Sequence, residues 1–290
     1  MIRIGILGTD NSHSITFSRL VNVKGEKAHV PGARVVAIFG LDPKRNEEVA
    51  EKGQVPAIVK RPREMLGMID AAIVDFRHGG LHYKYARPFI EAGLPTFVDK
   101  PFSISVADAI KMIALAKRKK TPITSFSTIR LGPDIARMKR QVKSIGKVRG
   151  GIFGGPGSSK SEYAGVFFYG VHTVEVMLEV MGTAVTSVRA SDHDGSVIAV
   201  VGYKGGAVAT LNILDKAKIP FIGTVYGSEG VAKYEPTGGF DGYYYGMKLF
   251  LEMVRTRKPP IPYSNLLLTV KVMNAIQKSL DTGGSEVAVR

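Results

Sequence analysis

His172 is the residue best suited to move a proton at neutral pH, in the stretch YAGVFFYGVHTVEVMLEVMG. Here Val166, Gly170, Thr173, Val174, Met177 and Met181 recur at helical spacing and form one buried stripe. Phe168, Tyr169, His172 and Glu175 fall on a different face, with Tyr169 and Glu175 three residues to either side of the histidine and within its reach. An imidazole titrates near neutrality, so His172 can take or return a proton at working pH. The plainer alternative is a packing histidine. Lys100 is the second candidate, in PTFVDKPFSISVADA. Asp99-Lys100-Pro101 directly follows an apolar strand, at the edge where open α/β sheets bind ligands. A lysine there can polarise a carbonyl or lower the pKa of a hydroxyl. Its plainer alternative is a solvated loop residue.

A third set could hold a phosphate. Ile2 to Leu7 reads as a strand, and Gly8-Thr9-Asp10-Asn11-Ser12-His13 then leads into a helix. That is the layout of the dinucleotide fingerprint G-x-G-x-x-G, with only its first glycine present. A helix N-terminus offers unpaired N–H groups and the positive end of a dipole. Asp10 opposes this: a carboxylate ~4 Å from a phosphate oxygen costs about 1 kcal/mol in water and about 4 at an effective dielectric of about 20. The expectation is that Asp10 turns back to cap its own helix through Ser12 or His13, leaving Thr9, Asn11, Ser12 and Ser14 to donate to phosphates. A plain strand–helix turn with a polar cap is the alternative. Beyond the second strand, Phe39 is followed by Gly40-Leu41-Asp42-Pro43-Lys44-Arg45, with no acid at the strand end to take ribose hydroxyls. Asp42 either reaches the ribose or caps the next helix. Lys44 and Arg45 either meet a 2′-phosphate or lie on the surface, so NAD and NADP both stay open. Asp75, His78 and His82 stand in DFRHGGLH, a loop feeding a helix, and this spacing does not build a metal site.

These residues need elements to hold them. Over the first 125 residues, near-continuous apolar strands (2–7, 34–39, 71–76, 95–98 and 123–126) alternate with helices (46–52, 82–92 and 106–120). Strands of that kind between helices indicate a doubly wound parallel sheet covered on both faces. Residues 126–290 read differently. Helices at 134–144 and 163–181 frame a strand at 147–153. Strands follow at 185–191, 197–203, 207–213, 221–226 and 230–234, with hairpin signals at Lys204-Gly205-Gly206 and Gly227-Ser228-Glu229. Helices at 244–256 and 266–280 close the chain. The expected architecture is therefore α/β: a Rossmann domain (1–125) and an α+β domain with an open, mostly antiparallel sheet (126–290).

Composition limits the function. The chain has 290 residues, 44% hydrophobic and 22% charged, with no cysteine, so thiolate catalysis and Cys-ligated metals are excluded. No apolar run reaches the ~18 residues of a membrane span, and the first apolar run is too short for a secretory signal. A cytoplasmic location with no membrane partner is the expectation. The net charge of +15 is evenly spread: residues 1–122 carry 20 Lys+Arg against 12 Asp+Glu, and the rest 20 against 13. The densest run, Lys117-Arg118-Lys119-Lys120, ends a helix, where cations offset the dipole. No nucleic-acid partner is expected.

Taken in order, the residues Ile4-Gly5-Ile6-Leu7-Gly8, Asp42-Pro43, His82, Glu91-Ala92-Gly93, Lys100-Pro101, Gly170-x-His172, Gly205-Gly206, Tyr226-Gly227-Ser228-Glu229-Gly230 and Ser279-Leu280-x-Thr282-Gly283 resemble the family of glucose-fructose oxidoreductase, inositol dehydrogenase and their relatives. The resemblance implies NAD(P)-dependent hydride transfer on a small sugar, polyol or similar alcohol or carbonyl. It also implies a homodimer or homotetramer built through the C-terminal sheet. Lys100 matches the lysine of the family's Glu-Lys-Pro motif, and His172 its catalytic histidine. Gly8 to His13, Asp42, Arg77, His82 and Lys100 would hold the cofactor. Four departures stand out: Phe168 where many members have an Asp, Asp99 for Glu, Arg77-His78 for Thr-Pro, and Gly40 for the ribose acid. With that Asp gone, Tyr169 is expected to supply a hydroxyl to His172, and Arg77 a cation that offsets Asp10. The departures also keep a second reading open, a non-catalytic ligand-binding or regulatory protein on the same fold.

Overall fold

A computed structural model describes residues 1–25, 28–236, 238 and 241–289. The order begins β1 (Ile2–Leu7), α1 (His13–Asn22), β2 (Ala33–Phe39), α2 (Pro43–Gly53), β3 (Ala57–Ile58), β4 (Ala71–Val74), α3 (His82–Glu91), β5 (Thr96–Val98), α4 (Val106–Lys119) and β6 (Ile123–Thr124). It continues α5 (Pro133–Val142), β7 (Val148–Pro156), α6 (Phe167–Met181), β8 (Val185–His193), β9 (Ser196–Tyr203), β10 (Val208–Leu214), β11 (Ile222–Gly227), β12 (Val231–Tyr234), α7 (Gly242–Thr256), α8 (Tyr263–Asp281) and β13 (Val287–Ala288). The chain forms two compact units: residues 1–103, 107–126 and 241–266 in the first, and 104–106, 127–240 and 267–290 in the second.

The first unit holds a six-stranded sheet in the order β3-β2-β1-β4-β5-β6, with every pair parallel. Its central strands are buried on both faces (Ile4, Ile6, Leu7, Val35, Ala37, Ile38 and all of β4), which explains their unbroken apolar runs. Strand order reverses between β1 and β4, and ligands bind outside the carboxyl edge at such a reversal. β4 ends at Val74, two residues short of the expected Phe76: Asp75 still donates its N–H to the Leu7 carbonyl (2.6 Å), and the Asp75–Phe76 peptide then lies against the turn at Gly8. Gly8 has φ +104, and a Cβ there would lie 2.5 Å from the Phe76 nitrogen. Only glycine lets these two strand ends meet.

Residues 241–266, expected in the C-terminal domain, group with the first unit. α7 buries Met247, Phe250, Leu251 and Met253, and Phe250 meets Phe97 of β5 at 6.0 Å between ring centroids. Arg257 donates to the carbonyls of Gly93 and Lys120, and the Tyr263 hydroxyl accepts from the Ile123 nitrogen. The sequence marks α7 as amphipathic but does not say which sheet its apolar face covers.

The second unit holds a seven-stranded sheet in the order β12-β11-β7-β10-β9-β8-β13. It is antiparallel except where β7 runs parallel to β10. Alternate residues Phe153, Leu211, Ile213, Ala199, Val201, Val225 and Ala232 point into a core shared with α6. The opposite face leaves Ile152, Val200, Val208, Ile222, Tyr226 and Val231 between 40% and 50% exposed. α6 starts at Phe167 rather than Tyr163, because Ala164 (φ 70) and Gly165 (φ 57) sit in the left-handed region that breaks a helix. α6 is also more buried than a one-stripe reading implies: His172 and Glu175 are themselves 7% and 4% exposed. Among the described residues, no helix is long and apolar enough to cross a membrane.

Candidate active site

The turn after β1 is built differently from the expectation. Asp10 does not cap α1: its carboxylate accepts from the Arg77 backbone nitrogen (3.1 Å), tying the first turn to the loop after β4. Arg77 thus meets Asp10 through its main chain. Asn11 takes the capping role instead, accepting from the His13 nitrogen at 3.4 Å, while Ser12 precedes the helix with no side-chain cap bond. Thr9 also turns inward. Its hydroxyl donates to Asn46 Oδ1 (2.6 Å), so its one proton is committed to α2 rather than to a phosphate. Arg45 braces the turn from outside, donating to the carbonyls of Thr9 (2.7 Å) and Asn11 (3.3 Å). Lys44 and Arg45 lend their backbone nitrogens to Asp42, which caps α2. Of the two readings open for Asp42, the structure takes the cap.

Beneath the turn lies a buried polar cluster. Asn11 donates to Asp75 Oδ1 (3.0 Å) and Asp99 Oδ2 (3.2 Å), and His13 Nδ1 lies 3.0 Å from Asp99 Oδ2. Tyr243 meets the His13 ring edge-on at 4.9 Å. Burial first, and then the Asp99 charge, raise the Asp75 carboxyl well above the ordinary carboxylate range. Burial also opposes ionisation of Asp99, but His13 and Lys100 outweigh it and hold Asp99 below that range. Burial and the Asp99 charge both favour the protonated form of Asp75, whereas His13 and Lys100 favour the ionised form of Asp99.

Lys100 is 4% exposed, which removes the solvated-loop alternative. It sits just past β5, at the carboxyl edge, and its charge acts on both Asp75 and Asp99. His82 is fully buried. Its Nε2 and Nδ1 each lie 2.8 Å from a backbone carbonyl, those of Phe76 and Pro101, so it ties together the loops after β4 and β5. Burial is the largest influence on His82 and lowers its pKa, while the carbonyls push the other way. His78 accepts from the Gly80 nitrogen. Neither histidine joins Asp75. The donors that do gather, on His13, Asp75 and Asp99, lie within 4.8 Å of one another, and their facing atoms are bonded to each other and to Asn11.

At the end of β2, Gly40 is boxed in: a Cβ there would lie 1.8 Å from Thr9 Oγ1 and 2.2 Å from Asn46 Oδ1. Any side chain at residue 40 must break the Thr9–Asn46 bond. We expect Gly40→Ala to cost roughly 1–3 kcal/mol, measured by urea unfolding. Beside this strand end opens a cavity of about 620 Å³ lined by Phe39, Pro62, Tyr85 and Pro88, with Lys60, Arg61, Arg63 and Lys84 around it and Glu64, paired with Arg61, as its acidic member. Its apolar walls and basic lining fit a nucleoside with attached phosphate.

In the second unit, His172 is held by a residue the sequence reading missed. Its Nδ1 lies 2.6 Å from the Ser127 hydroxyl. Tyr169, expected to supply a hydroxyl, meets the imidazole edge-on with ring centroids 5.6 Å apart. Phe168 packs against Tyr163 and Tyr169, both at 4.9 Å, extending an aromatic wall that continues through His172 to Phe221. Glu175 turns away from the ring, accepting from the Ser127 nitrogen (2.9 Å) and pairing with Arg130 (3.2 Å). Arg130 also binds Glu179, which pairs in turn with Lys139. Burial raises Glu175 above its ordinary value despite Arg130. Burial opposes ionisation of Glu179 too, but Arg130 and Lys139 prevail and lower it. Ser127 was legible by the logic used for Lys100, since it also follows a strand of the parallel sheet.

Residues 2–126 match the family model described as an oxidoreductase family with an NAD-binding Rossmann fold. Inositol 2-dehydrogenase 1 of Saccharopolyspora erythraea is 28% identical over 148 residues, 48% of this chain and 39% of that protein. D-apiose dehydrogenase of Paraburkholderia graminis is 26% identical over 198 residues, 63% of this chain and 51% of that protein. The chain thus spans about half or less of these curated relatives. In fold, the myo-inositol dehydrogenase of Lactobacillus casei, solved with NAD(H) and myo-inositol, superposes with a TM-score of 0.86 at 17% identity, covering 100% of this chain and 97% of that one. A reversed-order parallel sheet with a glycine-pinned turn at its switch point is the structural counterpart of the match between residues 2–126 and the oxidoreductase family model with an NAD-binding Rossmann fold.

Proposed function

We propose that this protein is an NAD(P)-dependent dehydrogenase or reductase of a small sugar, polyol or related compound. The observation that carries this reading is Lys100: a cation 4% exposed, at the carboxyl edge of the sheet beside the dinucleotide turn. A lysine is not buried there without a structural or chemical task. The residues present fit the cofactor, with the Gly8 turn and the start of α1 toward the pyrophosphate and the cavity beside Phe39 toward the adenosine. When bound, the nicotinamide supplies the hydride acceptor or donor. Lys100 then offers its ammonium to the substrate oxygen, and His172 exchanges the hydroxyl proton. Asn11, Ser12 and His13 line the turn. Thr9, Asp10, Arg77 and His82 shape it from within, and Tyr169 walls the histidine.

The outer face of the second unit's sheet, with six apolar residues 40–50% exposed, supports assembly into a homodimer or homotetramer. A lack of nucleic-acid partners completes the reading, supported by the even spread of charge in the sequence.

Titration calorimetry with NADH and NADPH tests the proposal, with binding of at least one expected at micromolar to millimolar concentration. Binding of neither would leave the non-catalytic reading in its place. With a substrate identified from a polyol and sugar panel, His172→Ala and Lys100→Ala are each expected to lower turnover by about 10²–10⁴-fold. Unchanged turnover in both would refute these roles.

A further inference from the structure

We propose that Ser127 is the positioning residue of His172, a neutral hydroxyl that serves both tautomers of the ring. The inference rests on the reading of His172 as the proton-transfer residue. Ser127 is fully buried and His172 is 7% exposed, with Oγ and Nδ1 2.6 Å apart. The serine is fixed on three sides. Its nitrogen donates to Glu175 (2.9 Å), its hydroxyl oxygen accepts from the Ile129 nitrogen (3.3 Å), and its backbone (φ −68°, ψ 130°) caps the short 3-10 turn Thr128–Leu131. Glu175, the nearby acid on the same helix, is engaged by Ser127 N and Arg130.

A hydroxyl carries one proton and two acceptor lone pairs. With the ring proton on Nε2, Ser127 donates its proton to Nδ1. With a proton on Nδ1, that N–H donates to Oγ. The same 2.6 Å contact therefore survives when His172 gains or loses a proton at Nε2. In the oxidative direction the substrate O–H bond breaks and Nε2–H forms, while Nδ1–H continues to donate to Ser127. In the reductive direction Nε2–H breaks and the substrate O–H forms. The ring is then neutral with its proton on Nδ1, and Ser127 still accepts it. A carboxylate in this place would only accept, fixing one tautomer and favouring the imidazolium. Ser127 orients the ring without adding that charge.

NMR of protein labelled with ¹⁵N-histidine tests the assignment without a substrate. The chain has six histidines, and His172 is identified by the resonances lost in His172→Asn. Ser127→Ala is expected to shift the His172 Nδ1 resonance and change its tautomer ratio, and Ser127→Thr, which keeps the hydroxyl, to restore both. Ser127→Asp is expected to raise the His172 titration midpoint by about 1–3 pH units. Nδ1 and tautomer signals in Ser127→Ala identical to the parent would overturn the proposal, as would failure of Ser127→Thr to restore them. Failure to bind either nicotinamide dinucleotide would overturn the catalytic reading alone and leave the tautomer assignment standing on these spectra.

Discussion

Arg130→Ala is expected to destabilise the protein by about 3–5 kcal/mol, the largest loss from any single substitution considered for this chain. The side chain is 10% exposed and pairs with Glu175 and Glu179, whose side chains are 5% and 20% exposed. Exposed pairs on this protein, such as Arg61 with Glu64, are screened and contribute little. Arg130 differs because its removal leaves Glu175 buried with the Ser127 N–H and no countercharge from the guanidinium. The carboxyl then takes up a proton or draws in water. Adding Glu175→Gln to Arg130→Ala is therefore expected to recover a large part of the loss, a coupling that a double-mutant cycle by urea unfolding measures directly. A cost below about 1 kcal/mol would place the network in the class of screened surface pairs.

Asp75→Asn is expected to become progressively more stable than the parent as pH rises. Folded Asp75 holds its proton to higher pH than the unfolded chain does, because burial and Asp99 raise its carboxyl. From about pH 4, where an ordinary aspartate ionises, up to the raised folded value, the native state binds more protons than the unfolded state. Parent stability therefore falls with pH in that window, by up to about 1.4 kcal/mol per pH unit from this group. Asparagine has no proton to lose, so it adds no buried charge as pH rises. Asp99→Asn has the opposite sign. Asp99 is held below the ordinary range, so its contribution is present above about pH 4 and fades as pH falls through the lowered folded value. Thermal unfolding of the three proteins from about pH 2 to about pH 8 separates the cases, with the Asp99 change falling below about pH 4 and the Asp75 change above it. A constant offset between Asp75→Asn and the parent would show that Asp75 ionises like an ordinary aspartate.

What the sequence made legible follows from periodicity and position. The parallel sheet was readable because strands buried on both faces are unbroken apolar runs, and the carboxyl-edge rule picked out Lys100. What escaped depended on long-range placement. Asp10 was expected to cap its own helix on a local electrostatic argument, but a loop 67 residues away supplied its partner. Asp75 entered only as a poor metal ligand, because its pairing with Asp99 spans two strands of the folded sheet. Ser127 went unnoticed because the search for a partner of His172 stayed on one helix, and the hydroxyl came from 45 residues upstream. The strands Ala57–Ile58 and Val287–Ala288 were missed since two residues carry no periodicity.

The closed space at Gly40 limits how coenzyme preference can be altered. Exchanging charge at the end of the second strand is the direct route to favour NAD or NADP, since the residue there faces the ribose. In this chain any new side chain at residue 40 collides with the Thr9–Asn46 pair that shapes the pyrophosphate turn, so a specificity swap would be confounded with damage to the turn itself. Leu41, the next residue and 63% exposed, offers the first position where a carboxylate or guanidinium can be introduced while that turn stays intact.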